Sequence, residues 1–461
     1  MLLSPIQIQH LYLRAGFGLR PQDAKALLAE KNLSVHLKNL FAAKKFEPLQ
    51  AAPTLPQRDV LMMEQADKQA LRQKMRQEGI ALNLAWLAQM QEGKAELREK
   101  MSLFWHGHFA CKSPVAAYMQ QQINTLRTHA LGKFGDLLLA ISQDAAMLQF
   151  LNNQQNRKRS PNENFARELL ELFTLGRGHY TEQDIKEAAR AFTGWGFGEK
   201  GTFVFRQNQH DEGLKRFMGQ EGNFKGEDII RIVLQNPRTA YFITQKIYRY
   251  FVGAQAPEAR LQALAKSFYD SNYDIAALMQ AIFSADWFYA PEYIGARIKS
   301  PIELLIHLSR LLELRFAQPA SALFVQKVLG QMLLNPPNVA GWAEGKAWID
   351  SSSLLFRLQL ATLIVLQADV EIDSKDEGDV NTEGFGRRQG RKLQAQVNLN
   401  PLQNAFGKAA QPQEQFQALA AFMLQVPPAA LPEIWQKLSQ QEPNFLRVFL
   451  TLSALPEFQM A

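Results

Sequence analysis

Apolar residues recur every three or four positions along most of the chain, in segments near 57–75, 82–105, 115–130, 162–175, 182–193, 237–252, 258–269 and 300–314. That spacing follows the 3.6-residue turn and gives each segment an apolar stripe that must be covered. The pattern predicts an all-α protein, a large multi-helix, orthogonal or bundle-like body. Only Gly201 to Arg206, Gly-Thr-Phe-Val-Phe-Arg, reads as a strand, which predicts a small hairpin or loop excursion near 200–206. No internal repeat of fixed period is present.

Polar residues mark where these helices begin and stop. Ser160-Pro161-Asn162-Glu163 reads as a capping box, and Thr181 with Asp184 and Ser300 with Glu303 repeat the logic. Gly176 and Gly178 read as helix stops, since no strand precedes them as a phosphate loop would require. Residues 368–399 change character: an acidic run is followed by a basic, glycine-containing patch with little that could pack, which predicts a linker or mobile loop. The expected organisation is a main body over 1–367, this linker, and a small C-terminal helical module over 400–461.

Composition narrows the class of protein. With 461 residues, 47% of them hydrophobic, the chain can bury a large core. Its net charge of +7 comes from 51 basic and 44 acidic residues that are dispersed, without the basic stripe and interleaved aromatics of a nucleic-acid surface. Cys111 is the single cysteine, so an intrachain disulfide framework and a thiolate zinc cluster are excluded, and the thiol reads as inert packing. The first residues lack the basic head and apolar run of a secretory signal, and no apolar stretch approaches the roughly 18 residues of a membrane span. A soluble, cytoplasmic protein is the expectation.

One segment concentrates candidate chemistry. In the helix predicted over 162–175, apolar residues cover an arc of about 220° at about 100° per residue, too wide for a helix lying on the surface. Glu168 falls inside the edge of that arc with Asn164 one turn back, while Glu163, Arg167 and Glu171 form the i, i+4, i+8 ladder of a polar side. Glu168 is either half of a buried pair, with Arg190 or Arg127 as partner, or a site carboxylate.

Histidines supply the candidate ligands. His106 and His108 sit in Phe104-Trp105-His106-Gly107-His108-Phe109 among bulky apolar residues. In a helix they would point about 200° apart, but Gly107 and Pro114 predict that the helix ends here, and an extended His-Gly-His can turn both rings one way to chelate. His129, on a predicted helix, and His210, beside Asp211 on a loop, are further candidates. Histidines with carboxylates suit zinc, iron or manganese, and satisfied core histidines are the competing reading. A late glycine-rich loop carries Trp342 and Trp348, a platform for a sugar or peptide or else a hydrophobic plug.

The chain resembles a bacterial family known as domain of unknown function 1800. The likeness covers about residues 8–366 and rests on His10-Leu-Tyr-Leu-Arg14-Ala-Gly-Phe17-Gly18, on Phe104 to Phe109, and on Asn162-Glu163-Asn164-Phe-Ala-Arg167-Glu168 through Gly176. Thr193-Gly194-Trp195, His210-Asp211 with Lys215, Lys299-Ser300-Pro301 and Pro337-Asn338-Val-Ala-Gly341-Trp342 complete it. The resemblance implies a helical protein with no settled activity, in a family whose members are often exported and often encoded beside a sulfatase-like protein known as domain of unknown function 1501. Asn152 and Gly107 depart from the family pattern, where Asp and Asn are frequent, so neither carries essential chemistry here. Export together with a signal-bearing partner follows from the same resemblance.

Two functions fit these residues. In the first, a metal-assisted hydrolase, His106 and His108 with His129 or His210 bind a divalent metal beside Glu168, with Glu163 or Asp211 as base or orienter and Asn164 and Arg167 as binding groups. In the second, a binding or assembly protein, the same polar residues fix helix geometry and the Trp342 and Trp348 loop meets a partner, the sulfatase-like protein being the candidate.

Overall fold

The computed structural model describes residues 1–42, 46–55, 64–370, 391–409, 411–427, 430–440 and 444–461. Over these the periodicity is realised as helix. Three short helices open the chain, α1 (Pro5–Ala15), α2 (Pro21–Ala29) and α3 (Leu33–Phe41), and the long α4 (Gln65–Glu92) and α5 (Glu96–His108) follow. Next come α6 (Ala116–His129), α7 (Phe134–Ser142), α8 (Ala145–Phe150) and α9 (Asn164–Glu168), the last continuing as a π-helical turn over Leu169–Thr174. Six more complete the centre: α10 (Glu182–Ala191), α11 (Gly226–Gln235), α12 (Pro237–Phe251), α13 (Glu258–Asp270), α14 (Ile275–Phe283) and α15 (Pro301–Leu312). The rest are α16 (Pro319–Leu329), α17 (Ser351–Val365), α18 (Asn400–Phe406), α19 (Pro412–Met423), α20 (Pro432–Ser439) and α21 (Phe445–Ser453).

The fold is all-α, as the periodicity predicts, and most predicted segments coincide with helices to within two residues. The pair near 57–75 and 82–105 is the exception. Residues 56–63 lie outside the described residues, and no break separates 75 from 82: α4 runs for 28 residues through Gly79 and stops at Gly93. Leu82, Trp86 and Met90, at i, i+4 and i+8, give α4 a buried stripe that packs against α6 and α15. Burying that stripe outweighs the roughly 1 kcal/mol of helix propensity lost at one glycine.

The expected hairpin forms from β1 (Trp195–Phe197) and β2 (Phe203–Phe205), and a second, unforeseen one from β3 (Lys215–Phe217) and β4 (Gln220–Gly222). Two short ladders form in the 368–399 segment where it is described, one joining it to the body and one pairing its own two ends. The strand β5 (Arg315–Phe316) pairs with β8 (Ala395–Gln396), and β6 (Asp369–Val370) pairs with β7 (Arg391–Lys392). Residues 371–390, the centre of the predicted linker, lie outside the described residues.

One connected apolar core runs from Leu3 to Phe458. The C-terminal helices add to it: α18 packs on α2, α19 on α1 and α21 on α17. Beyond them the last residues pair with the segment leading into α15. Ala461 N donates to Arg297 O at 2.7 Å, and Lys299 N donates to Gln459 O at 2.9 Å. Residues far apart in sequence therefore meet beside the N-terminus of α15.

Candidate functional site

The segment 159–213 separates once its contacts are known. The capping box expected at Ser160 and Glu163 is not formed, because the helix starts later, at Asn164. Ser160 instead closes a turn with Arg157, Asn162 Oδ1 accepts from Asn164 N at 3.0 Å, and Glu163 pairs with Arg167 at 3.2 Å. The boxes at Thr181 with Asp184 and at Ser300 with Glu303 do form. Arg167 also reaches Glu182 at 2.9 Å, while Glu171 leaves the expected ladder for Arg177 and Tyr180.

Glu168 is half-buried and bonds to neither proposed partner. Arg190 is held by Asp211 at 2.7 Å and by Glu187 at 2.9 Å, and Arg127 is held by Glu99 at 2.8 Å. Burial first, then the neighbouring Glu171, raises the Glu168 carboxyl above its ordinary value. That half-burial matches its place at the edge of the apolar arc, and the regular helix gives way to the π turn directly after it. Asn164, beside it, is exposed and donates to Leu151 O at 3.3 Å.

The histidine ligand set does not assemble. Helix α5 continues through Gly107 to His108, so His106 and His108 lie on opposite faces, and the extended chelating turn is absent. His106 is buried between Trp86 and Trp342, with ring centroids 5.2 and 5.1 Å away. Its Nε2 accepts from Leu334 N at 3.1 Å, and desolvation lowers its pKa to about 3. His108 uses both nitrogens elsewhere: Nε2 donates to Phe173 O at 3.1 Å, which leaves Nδ1 to accept from Lys246 Nζ at 3.3 Å.

His210 donates from Nδ1 to Thr193 O at 2.9 Å and packs on Phe205, and His129 ends α6. Asp211, the proposed base, is held by Arg190 and by Gly213 N at 2.8 Å. Among the described residues no three or more His, Cys, Asp or Glu side chains stand where they could hold one metal ion. A zinc, iron or manganese centre built from His106, His108, His129, His210 and Glu168 therefore does not fit this arrangement. Cys111, read as inert packing, is buried and accepts from Gln122 Nε2 at 2.8 Å.

What the fold brings together is a different group, around a cavity of about 490 Å³ between the C-terminal half of α5, α12, the segment entering α15 and the 340–348 loop. Four cations line it: Lys246, Arg249, Arg297 and Lys346. Glu344 is the one carboxylate among its lining residues. Phe104, Tyr250, Trp342 and Trp348 supply aromatic walls, and Met460 of the C-terminal segment closes one side.

Local structure explains these positions. The π turn ends in a helix C-terminus, whose last carbonyls lack intrahelical partners. Leu172 O accepts from Lys246 Nζ at 3.2 Å and Phe173 O from His108 Nε2 at 3.1 Å, so the turn anchors both side chains. Lys246 has no carboxylate in ion-pair range among the described residues, and burial, opposed by Glu344, lowers it to about 8. Tyr250, one helical turn along α12, has a buried hydroxyl with no hydrogen-bond partner among the described residues, and burial raises its pKa well above the usual phenol value. Gly341 holds the tryptophan loop against α5. Its φ is +82°, and a Cβ there would collide with Gly107 O.

Behind the cavity lies a buried excess of positive charge. Glu303 takes both Arg297, at 2.5 Å, and Lys100. Burial alone would raise its carboxyl, yet Arg297 and Lys100 together hold it well below the usual range. Arg14, Lys299 and Arg357 are buried nearby with no carboxylate in ion-pair range among the described residues: Arg14 donates to Val252 O at 2.8 Å, Lys299 to Phe458 O at 2.6 Å and Arg357 to Lys299 O at 2.6 Å. Burial lowers Lys100 to about 7 and Lys299 well below its ordinary value, with Glu303 opposing the shift in both.

Of the residues singled out from sequence, His108, Trp342 and Trp348 line this cavity, whereas Glu168, Glu163, Asp211, His106, His129, His210, Asn164 and Arg167 do not. Sequence reasoning missed Lys246, Tyr250 and Arg297. Lys246 and Tyr250 lie four apart on α12 and share a face, but a lysine and a tyrosine at that spacing look like any helix surface until the opposite wall is known.

The wall includes segments of several of the motifs that carried the family resemblance. The family model described as a protein of unknown function, DUF1800, matches residues 10–460, so the likeness extends past residue 366 through the C-terminal helices. No curated protein and no solved structure matches the chain. With nearly its whole length inside the family model, the chain belongs to the DUF1800 family.

Proposed function

We propose that this protein binds a small organic anion, a carboxylate or phosphate ester carrying an apolar or aromatic part, in the cavity between α5 and α12. The observation that carries this reading is the charge imbalance of the wall, where Lys246, Arg249 and Lys346 stand against Glu344 beside Arg297, which is paired with Glu303, and Arg14, Lys299 and Arg357 behind it have no carboxylate in ion-pair range among the described residues. An anion there is attracted in a partly desolvated site, where charge interactions are stronger than in water. The volume suits a small ligand, and Trp342, Trp348 and Phe104 offer flat faces to its apolar part. Of the two functions the sequence allowed, this develops the binding one, since the side chains assigned to a metal-assisted hydrolase are spread over separate elements.

The lysines give the reading a signature. Lys100 is lowered to about 7 and Lys246 to about 8, mainly by burial, and a bound anion stabilises their charged forms. Binding near pH 7.5 therefore takes up protons. Titration calorimetry with benzoate and with phenyl phosphate, in two buffers of different ionisation enthalpy, tests this directly. The expected result is saturable binding with a buffer-dependent heat that reports proton uptake, weakened about tenfold in Arg249→Ala, which removes one charge-assisted hydrogen bond. Absence of binding to both anions, or binding unaffected by Arg249→Ala, overturns it.

A further inference from the structure

Lys246 is not placed as a simple anchoring cation would be. Its Nζ meets two neutral acceptors, Leu172 O at 3.2 Å and His108 Nδ1 at 3.3 Å, and no carboxylate within ion-pair range among the described residues. His108 is fixed as an acceptor because its other nitrogen donates to Phe173 O. In its neutral form, in equilibrium with the charged one near neutral pH, the amine has two N–H donors, and these two acceptors satisfy both. The nitrogen lone pair is then left without a partner inside the protein, on a side chain that lines the cavity. One helical turn away, the Tyr250 hydroxyl is buried, has no hydrogen-bond partner among the described residues and borders the same cavity.

We propose that Lys246 is a carbonyl-reactive amine that condenses with the aldehyde or ketone group of an anionic ligand to form an imine, with Tyr250 passing the proton. This rests on the anion-binding reading above and names the reactive group of the ligand. The Lys246 lone pair forms the C–N bond as the carbonyl π pair moves to oxygen, and that oxygen takes a proton from the Tyr250 phenol. The resulting phenolate is returned to phenol by one of the two protons on the now cationic nitrogen. In the second stage the nitrogen pair forms C=N, the C–O bond breaks, and the oxygen leaves as water with the remaining amine proton. No oxidant or further reactant is needed, and Arg249 and Arg297 hold the ligand's negative group.

The two parts of the idea are tested with 4-carboxybenzaldehyde, which carries the anion, the ring and the aldehyde, and with 4-methylbenzoate, which lacks the carbonyl. The full-length protein is incubated with the aldehyde and cyanoborohydride, and modified lysines are mapped by peptide mass spectrometry. Lys246 is expected to be trapped about tenfold faster than an exposed lysine such as Lys266, with excess 4-methylbenzoate protecting it. Tyr250→Phe is expected to slow trapping by roughly a hundredfold, the scale of a lost general acid. If 4-methylbenzoate binds but Lys246 is trapped no faster than Lys266, the amine chemistry is wrong and anion binding stands. If 4-methylbenzoate does not bind and Lys246 is not preferred, both readings fall.

Discussion

Held between two indoles and fully buried, His106 shows how a single residue can carry two readings that only its surroundings separate. In sequence it is half of a His-x-His ligand pair; in the fold it accepts a backbone N–H and stays neutral. That state has a testable cost. The unfolded imidazole takes up a proton near pH 6.5, whereas the buried one resists until about 3. In that window the unfolded chain binds more protons, so the stabilisation is present at neutral pH and is lost as pH falls, on the order of 5 kcal/mol in all. Denaturant unfolding of His106→Gln, which keeps an acceptor for Leu334 but does not titrate, should depend less steeply on pH between 6.5 and 4 than wild type. Parallel curves would show that His106 is not buried in its neutral form. Glu168 makes the same point from the other side: its position on a helix was legible, but its partner was not, because Arg190 and Arg127 are claimed by Asp211 and Glu99.

Helices and their ends are the level at which sequence was most informative. Periodicity located α6, α10, α12, α13 and α15 closely, since burying a stripe is a local demand on every third or fourth residue. It did not foresee the π turn after Glu168, because an i+5 bond is a small rearrangement decided by packing, here supported by Thr174 Oγ1 donating to Leu169 O at 2.6 Å. That turn is the link between the polar segment and the cavity, since its last carbonyls hold Lys246 and His108. The 340–348 loop is positioned as tightly from the other side. Gly341→Ala, which demands a left-handed φ from alanine and drives a methyl into Gly107 O, is expected to destabilise the protein by about 1–3 kcal/mol. It should also displace Trp342, seen as altered tryptophan fluorescence of the folded protein; an unchanged unfolding midpoint and spectrum would mean the loop is free to shift.

Across the whole molecule, the cavity is assembled from α5, α12, the entry to α15, the tryptophan loop and residue 460. Among the described residues no helix is long and apolar enough to cross a membrane, and the chain folds around one connected core. Removing residues 456–461 would free Arg297 and Lys299 of their backbone partners and strip Phe458 from the rings and cations it covers, with centroid distances of 5.2 Å to His307 and 4.5 Å to Lys299. The truncated chain is expected to lose several kcal/mol of stability, Phe458 alone accounting for about 3, and to bind benzoate at least tenfold more weakly. Calorimetric affinity equal to that of the full chain would place the cavity's rigidity elsewhere. The sequence by itself determined the helical class, most helix positions and two of the three proposed caps, because these depend on neighbours within a turn or two. Only the tertiary structure decided which polar residues meet. Helix α5 runs on through Gly107 and parts the two histidines, while packing brings Lys246, Tyr250, Arg297 and Met460 from distant segments to one wall, a juxtaposition that no local spacing encodes.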